Sequence, residues 1–149
     1  MNELLKNPQV LREVIMDHYK YPHNKGLKDG ADYFNIHMAS SSCIDDLHIQ
    51  IKFVDQIVAE VNFDGVGCAI STASTSIMSD LLQGRNIQEA QKILQEYYKM
   101  IHEEAFDEDL LAEAYAFHNV SKQANRIKCA TIGIDGMHSL IEDYNNEKK

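Results

Sequence analysis

Cys43, Cys68 and Cys129 are the residues of this 149-residue chain best suited to chemistry. Thiolates bind zinc and iron and attack sulfur–sulfur bonds. An odd number of widely spaced cysteines makes a poor disulfide framework, and a chain of this length folds without bridges, so the thiols are expected to be reduced. A free cysteine taken alone reads most often as core filler. Position argues otherwise here. Cys43 lies in the polar loop Ser40-Ser41-Ser42-Cys43-Ile44-Asp45-Asp46, Cys68 follows the glycine-rich turn Asp64-Gly65-Val66-Gly67, and Cys129 opens the last helical pattern. All three are joints between elements, where sites are assembled from distant parts of a chain. A helix N-terminus offers unpaired N–H groups and the positive end of the macrodipole, which favours a thiolate at Cys68 and Cys129. Three sulfurs leave one corner of a tetrahedron. Asp45, two residues past Cys43, is the nearest candidate, and as the hardest ligand of the set it is the one expected to exchange most readily.

The elements that must hold these residues follow from periodicity. Val10, Leu11, Val14, Ile15 and Tyr19 recur at helical steps between Asn7 and Lys20, and Tyr21-Pro22-His23-Asn24-Lys25-Gly26 ends that helix. Leu47, Ile49, Ile51 and Phe53 alternate with polar residues, as do Ile57, Ala59, Val61 and Phe63 after Val54-Asp55-Gln56, which predicts an antiparallel hairpin. A weaker strand around Tyr33 to Met38 is expected beside it. Helices are expected over Ala69 to Leu82 and Ile87 to His102, a short one over Leu110 to Phe117, and a last one from near Cys129 to about Tyr144. The acidic stretch Glu103 to Asp109 reads as a solvated loop. The expected fold is α+β, a small three-stranded antiparallel sheet packed on one face by helices. Residues 1–149 are expected to form one domain, with about 1–10 and 145–149 as terminal tails.

Composition removes several functions. The formal charge of -9, from 14 basic and 23 acidic side chains, opposes nucleic-acid binding. No apolar run reaches the roughly 20 residues of a membrane span, and the N-terminus lacks a signal segment, so no membrane partner and a cytoplasmic location are expected. His102-Glu103-Glu104-Ala105-Phe106 has phenylalanine where a zinc protease needs its second histidine. His18 reads as a capping or packing residue, His48 lies on the polar side of its strand, and His23, His37, His118 and His138 lack a partner at ligand spacing. The small residues from Ser71 to Ser79 contain no Gly-x-Ser-x-Gly elbow and are expected to permit close helix packing.

Spacings of 25 and 61 positions between the cysteines identify nothing by themselves. The surrounding words do. Met16-Asp17-His18-Tyr19-Lys20-Tyr21-Pro22-His23-Asn24-Lys25-Gly26, Phe63-Asp64-Gly65-Val66-Gly67-Cys68-Ala69-Ile70-Ser71-Thr72-Ala73-Ser74 and Arg126-Ile127-Lys128-Cys129-Ala130-Thr131 resemble, in order and spacing, the SufU/IscU (NifU N-terminal-like) iron–sulfur cluster assembly proteins over roughly residues 11 to 141. IscU-type scaffolds carry histidine before the last cysteine, where this chain has Lys128, and a shorter segment than Ile87 to Asn125. The resemblance is therefore closest to the zinc-binding SufU type. It implies Zn2+ held by Cys43, Asp45, Cys68 and Cys129, with Cys43 accepting persulfide sulfur from a SufS-like cysteine desulfurase. It implies partner engagement through Arg126, beside Lys128, and onward delivery to downstream assembly or recipient proteins. The alternative is a scaffold holding iron or a 2Fe-2S cluster on the same ligands. The family writes its first block Cys-Gly-Asp, whereas this chain has Cys43-Ile44-Asp45. An isoleucine would be strained where a glycine takes positive φ. A different loop course is therefore expected, in which Asp45 either keeps the ligand place or turns away and leaves it to Asp46 or water.

Overall fold

The computed structural model describes residues 3–40, 44–123 and 126–147. Helix α1 (Pro8–Lys20) starts with Asn7, whose side chain accepts the Gln9 N–H, and with proline in the first turn, where no N–H is needed. Three strands follow, β1 (Tyr33–Ala39), β2 (Asp46–Val54) and β3 (Ile57–Val66), then α2 (Ala69–Leu82), α3 (Ile87–Ile101), α4 (Glu108–Leu111) and α5 (Ile127–Glu147). The sheet is antiparallel in the order β1-β2-β3. Asp55 and Gln56 close the β2–β3 hairpin, both at positive φ (51° and 67°), which gives the two-residue turn whose twist matches its strands.

Alternation sorts the sheet into two faces. Leu47, Ile49 and Ile51 of β2 lie opposite Met38, Ile36 and Phe34 of β1, and Ile49 and Ile51 meet Phe63 and Val61 of β3. These apolar side chains meet α2 and α5, so the predicted α+β arrangement with helices on one face is the observed one. The outer face is polar, with Tyr33 bonded to Glu60 at 2.5 Å and Gln50 bridging Asn35 and Asn62.

Several boundaries differ from the sequence expectation. Residues 8–10 belong to the helix expected from Asn7 and not to a terminal tail, and Glu3–Lys6 forms a 3-10 turn whose Lys6 pairs with Glu108 at 3.1 Å. Helix α5 reaches Glu147, past the expected tail boundary, and begins two residues before Cys129. The stretch expected as one helix over 110–117 is α4 followed by a 3-10 helix, Ala112–Phe117, with Ala112 at φ 45° between them. Part of the acidic segment does more than face water. Asp107 caps α4, and its own N–H donates to the buried Glu96 carboxylate at 2.8 Å, which Lys99 and Lys92 flank at 3.1 and 3.3 Å. The Asp107 N–H holds Glu96 below the usual carboxylate range.

Helix α2 is the central element. Its serines and threonines from Ser71 to Ser79 are buried, and Thr75 and Ser79 bond back to carbonyls of their own helix, which satisfies hydroxyls that would otherwise be costly inside a core. The segment after α1 clamps it. His18 Nδ1 and the His23 N–H both meet Ser76 Oγ, at 2.7 and 2.8 Å, while Asn24 donates to Ser79 Oγ and Asp80 at 2.8 and 2.9 Å. His23 also pairs with Asp80. Burial, and next the adjacent His23, pushes the His18 imidazole below its ordinary pKa. On the other side Gly133 lets α5 cross α2 closely, since a Cβ there would sit 2.0 Å from Thr75 Oγ1.

Gly133→Ala therefore tests the crossing. Alanine gains about 1 kcal/mol of helix propensity, but the overlap with Thr75 costs about 1–3 kcal/mol, so urea denaturation should show net loss or no gain. Adding Thr75→Ala should recover part of that loss. Stabilisation by the full propensity gain in the single variant would mean that the close approach carries no constraint.

Candidate metal and sulfur site

The site is built where β2 starts and where α2 and α5 start. Cys68 is the N-cap of α2, with extended backbone (φ -74°, ψ 177°) and its sulfur accepting the Ser71 N–H at 3.4 Å. A cysteine thus takes the place usually held by Ser, Thr or Asp, and its sulfur receives a donor that the helix leaves unpaired. Cys129 lies in the first turn of α5 and is 3% exposed. That turn is fixed from α3, where the buried Tyr97 hydroxyl donates to the Ala130 carbonyl at 2.7 Å. Burial pushes the Tyr97 phenol far above its ordinary pKa, so it remains a donor.

Asp45 points inward. It is 2% exposed, whereas its neighbour Ile44 is 68% exposed. The Asp45 Oδ1 accepts the Cys68 N–H at 3.1 Å and the Ser71 hydroxyl at 2.7 Å. Ligand atoms of Asp45, Cys68 and Cys129 all lie within 4.8 Å of one another. Gly67 makes room for this contact, because a Cβ there would meet Ser71 Oγ at 2.4 Å and Asp45 Oδ1 at 3.3 Å. Of the two alternatives for the acid, Asp45 is the one turned in: Asp46 faces the outer side of the sheet, where its Oδ1 meets His37 Nε2 at 2.7 Å. The isoleucine is turned to the surface while its neighbour turns in.

Two soft donors and one hard donor, clustered, largely buried and supplied from three separate stretches, match the set that holds zinc or an iron–sulfur cluster. Cys43, the remaining predicted ligand, lies outside the described residues, two positions before Asp45. Arg126 and Lys128 are exposed at the start of α5. Lys128 lines a cavity of about 270 Å³ with Met38, Ala39, Ser40, Thr131, Ile132 and Asp135. Ser71 was not singled out by the sequence as part of the site. Its signal was there in one respect, since it stands three residues after a cysteine at a helix start, the position whose N–H an N-cap side chain reaches.

The sequence pattern of the NifU-like N-terminal domain matches residues 10–149. The zinc-dependent sulfurtransferase SufU of Bacillus subtilis is 37% identical over 124 residues, covering 83% of each chain. The iron–sulfur cluster assembly scaffold protein IscU of Streptococcus pyogenes is 32% identical over 140 residues, covering 93% of this chain and 87% of that one. The crystal structure of FiSufU from Fervidobacterium islandicum superposes with a TM-score of 0.76 at 28% identity, covering 87% of this chain and 94% of that one. No helix among the described residues is long and apolar enough to cross a membrane. With the family pattern covering residues 10–149 and these relatives in agreement with it, the chain belongs to the NifU-like N-terminal domain family.

Proposed function

We propose that this protein serves iron–sulfur cluster assembly as a zinc-dependent sulfur acceptor. The observation that carries the reading is the convergence of Asp45, Cys68 and Cys129 within 4.8 Å, with Asp45 oriented by the start of α2. Cys43 completes the donor set. Bound zinc would keep the thiols deprotonated and protected until a partner docks. In the transfer step the Cys43 thiolate attacks the outer sulfur of a persulfide on a cysteine desulfurase. A new sulfur–sulfur bond forms on Cys43, the partner's sulfur–sulfur bond breaks, and the partner's thiolate leaves and takes up a proton. The residues of this chain do the positioning. The Cys68 N–H and the Ser71 hydroxyl hold Asp45, the Ser71 N–H supports the Cys68 sulfur, and Tyr97 fixes the turn that carries Cys129. The exposed cations Arg126 and Lys128 precede Cys129 in the chain and suit an acidic surface on the desulfurase.

The sequence similarity to SufU supports the acceptor reading, as do Lys128 before the last cysteine and the long segment from Ile87 to Asn125. The similarity to IscU over 93% of the chain supports a second reading, in which the same ligands hold an iron–sulfur cluster that is built and handed on.

Metal analysis of the purified protein together with desulfurase turnover separates the two. The acceptor reading expects about one tightly bound zinc per chain and strong stimulation of a cognate desulfurase, abolished in Cys43→Ser. A brown, iron-containing protein supports the scaffold, and zinc without stimulation of any cognate desulfurase overturns the acceptor. Ser71→Ala removes the hydroxyl on Asp45 but no ligand. It should weaken zinc affinity by about 10–100-fold in a chelator competition, as losing an outer-shell partner does. Unchanged affinity would show that Ser71 does not hold the carboxylate for the metal.

A further inference from the structure

We propose that the outer face of the sheet carries a second metal site, formed by His37, Asp46 and His48 and selective for a divalent transition-metal cation. The strand register creates it. His37 of β1 is directly opposite His48 of β2, and Asp46 lies two residues before His48 on the same face. Opposed residues of an antiparallel pair hold their Cβ atoms about 4.5–5.5 Å apart, a separation that two imidazoles can close on a shared ion. The sequence reading found no partner for His37 at ligand spacing, and the correction is that its partner comes from the neighbouring strand. The two rings are stacked, with centroids 4.3 Å apart and planes 7° from parallel.

Both Nε2 atoms face one carboxylate oxygen. His37 Nε2 is 2.7 Å from Asp46 Oδ1 and His48 Nε2 is 3.8 Å from the same atom. Ligands at zinc distances on a tetrahedron are about 3.3–3.4 Å apart, so the observed pair brackets the required spacing within about 0.6 Å. The second histidine is too distant for a hydrogen bond to that oxygen, and a cation between the three groups would engage all of them. All three side chains are about half exposed, which leaves positions for water ligands. Asp64, opposite His48 on β3, adds negative charge to the same surface. Two imidazoles with one carboxylate suit zinc, nickel or copper(II), whereas magnesium and calcium require oxygen ligands.

The cluster of His18, His23 and Asp80 differs in kind. There Ser76 and Asn24 also bond to the candidate ligands and tie two helices together. The outer-face trio instead sits at the base of the 40–45 loop, where a bound ion would pin β1 to the first residue of β2. This site is independent of any metal on the cysteines.

Calorimetric titration of the full chain with Zn2+, after the tighter cysteine centre has been filled, tests it. The expected result is one further binding event, weakened at least about tenfold in His37→Ala and in His48→Ala, since a ligand should matter no less than an outer partner. That event should be retained in His138→Ala, whose imidazole pairs with Glu142 elsewhere. Circular dichroism checks that the variants fold, and Cu2+ should broaden the imidazole resonances of His37 and His48 before those of the other histidines. Absence of a further event in the native chain, or its persistence unchanged in both variants, overturns the site. Because the event is identified by its loss in the histidine variants, failure of the cysteine centre to take zinc leaves this readout intact.

Discussion

Burying the Asp45 carboxylate beside two cysteines is the constraint on which the arrangement of the site depends. Moving such a group from water into a protein costs several kcal/mol, and a hydrogen bond to a charged group returns about 1.5–3 kcal/mol. The two donors from the start of α2 therefore offset much of the penalty, and under the proposed function a cation shared with the thiolates would offset more of it. The same donors fix the direction of the carboxylate. Oδ1 is held by the Cys68 N–H and the Ser71 hydroxyl, so the acid, the sulfur and the end of the helix form one unit.

That unit is only as well placed as α2. The helix is buried along most of its length and is gripped from two sides, by the His18-to-Asn24 segment and by α5 at the Gly133–Thr75 crossing. The first of the family-like sequence blocks is thus structural. It holds the helix that presents Cys68, and among the described residues it is separate from the group of Asp45, Cys68 and Cys129. Tyr97 plays the matching part for Cys129 by fixing the opening turn of α5 from α3. Rigid elements therefore deliver Cys68 and Cys129, while Asp45 and Cys43 arrive on the β1–β2 connection.

Much of the fold was legible because its signals are local. Alternation in β2 and β3 and the helical steps of α1 and α3 come from a buried face repeating along a few residues. The two termini were less legible: Glu3–Lys6 forms a 3-10 turn tied by Lys6 to Glu108, and α5 runs to Glu147, three residues past the expected end at Tyr144. Cys68 and Cys129 could be read from their positions at helix starts. The inward turn of Asp45 could not, since it depends on how Ile44 is exposed and on the space left by Gly67. Cross-strand contacts were the least legible. His37 and His48 are 11 positions apart and meet only because of register. Ser71 looked like one of several small residues suited to close packing, and only the fold shows it bonded to the acid.

The central claim is that three cysteines and Asp45 form one metal centre. X-ray absorption at the zinc edge of the purified protein tests it most directly. The account predicts three sulfur ligands at about 2.3 Å and one oxygen at about 2.0–2.2 Å, with the oxygen component lost in Asp45→Ala. A first shell with two or fewer sulfurs, or an oxygen component unchanged when Asp45 is replaced, would contradict it.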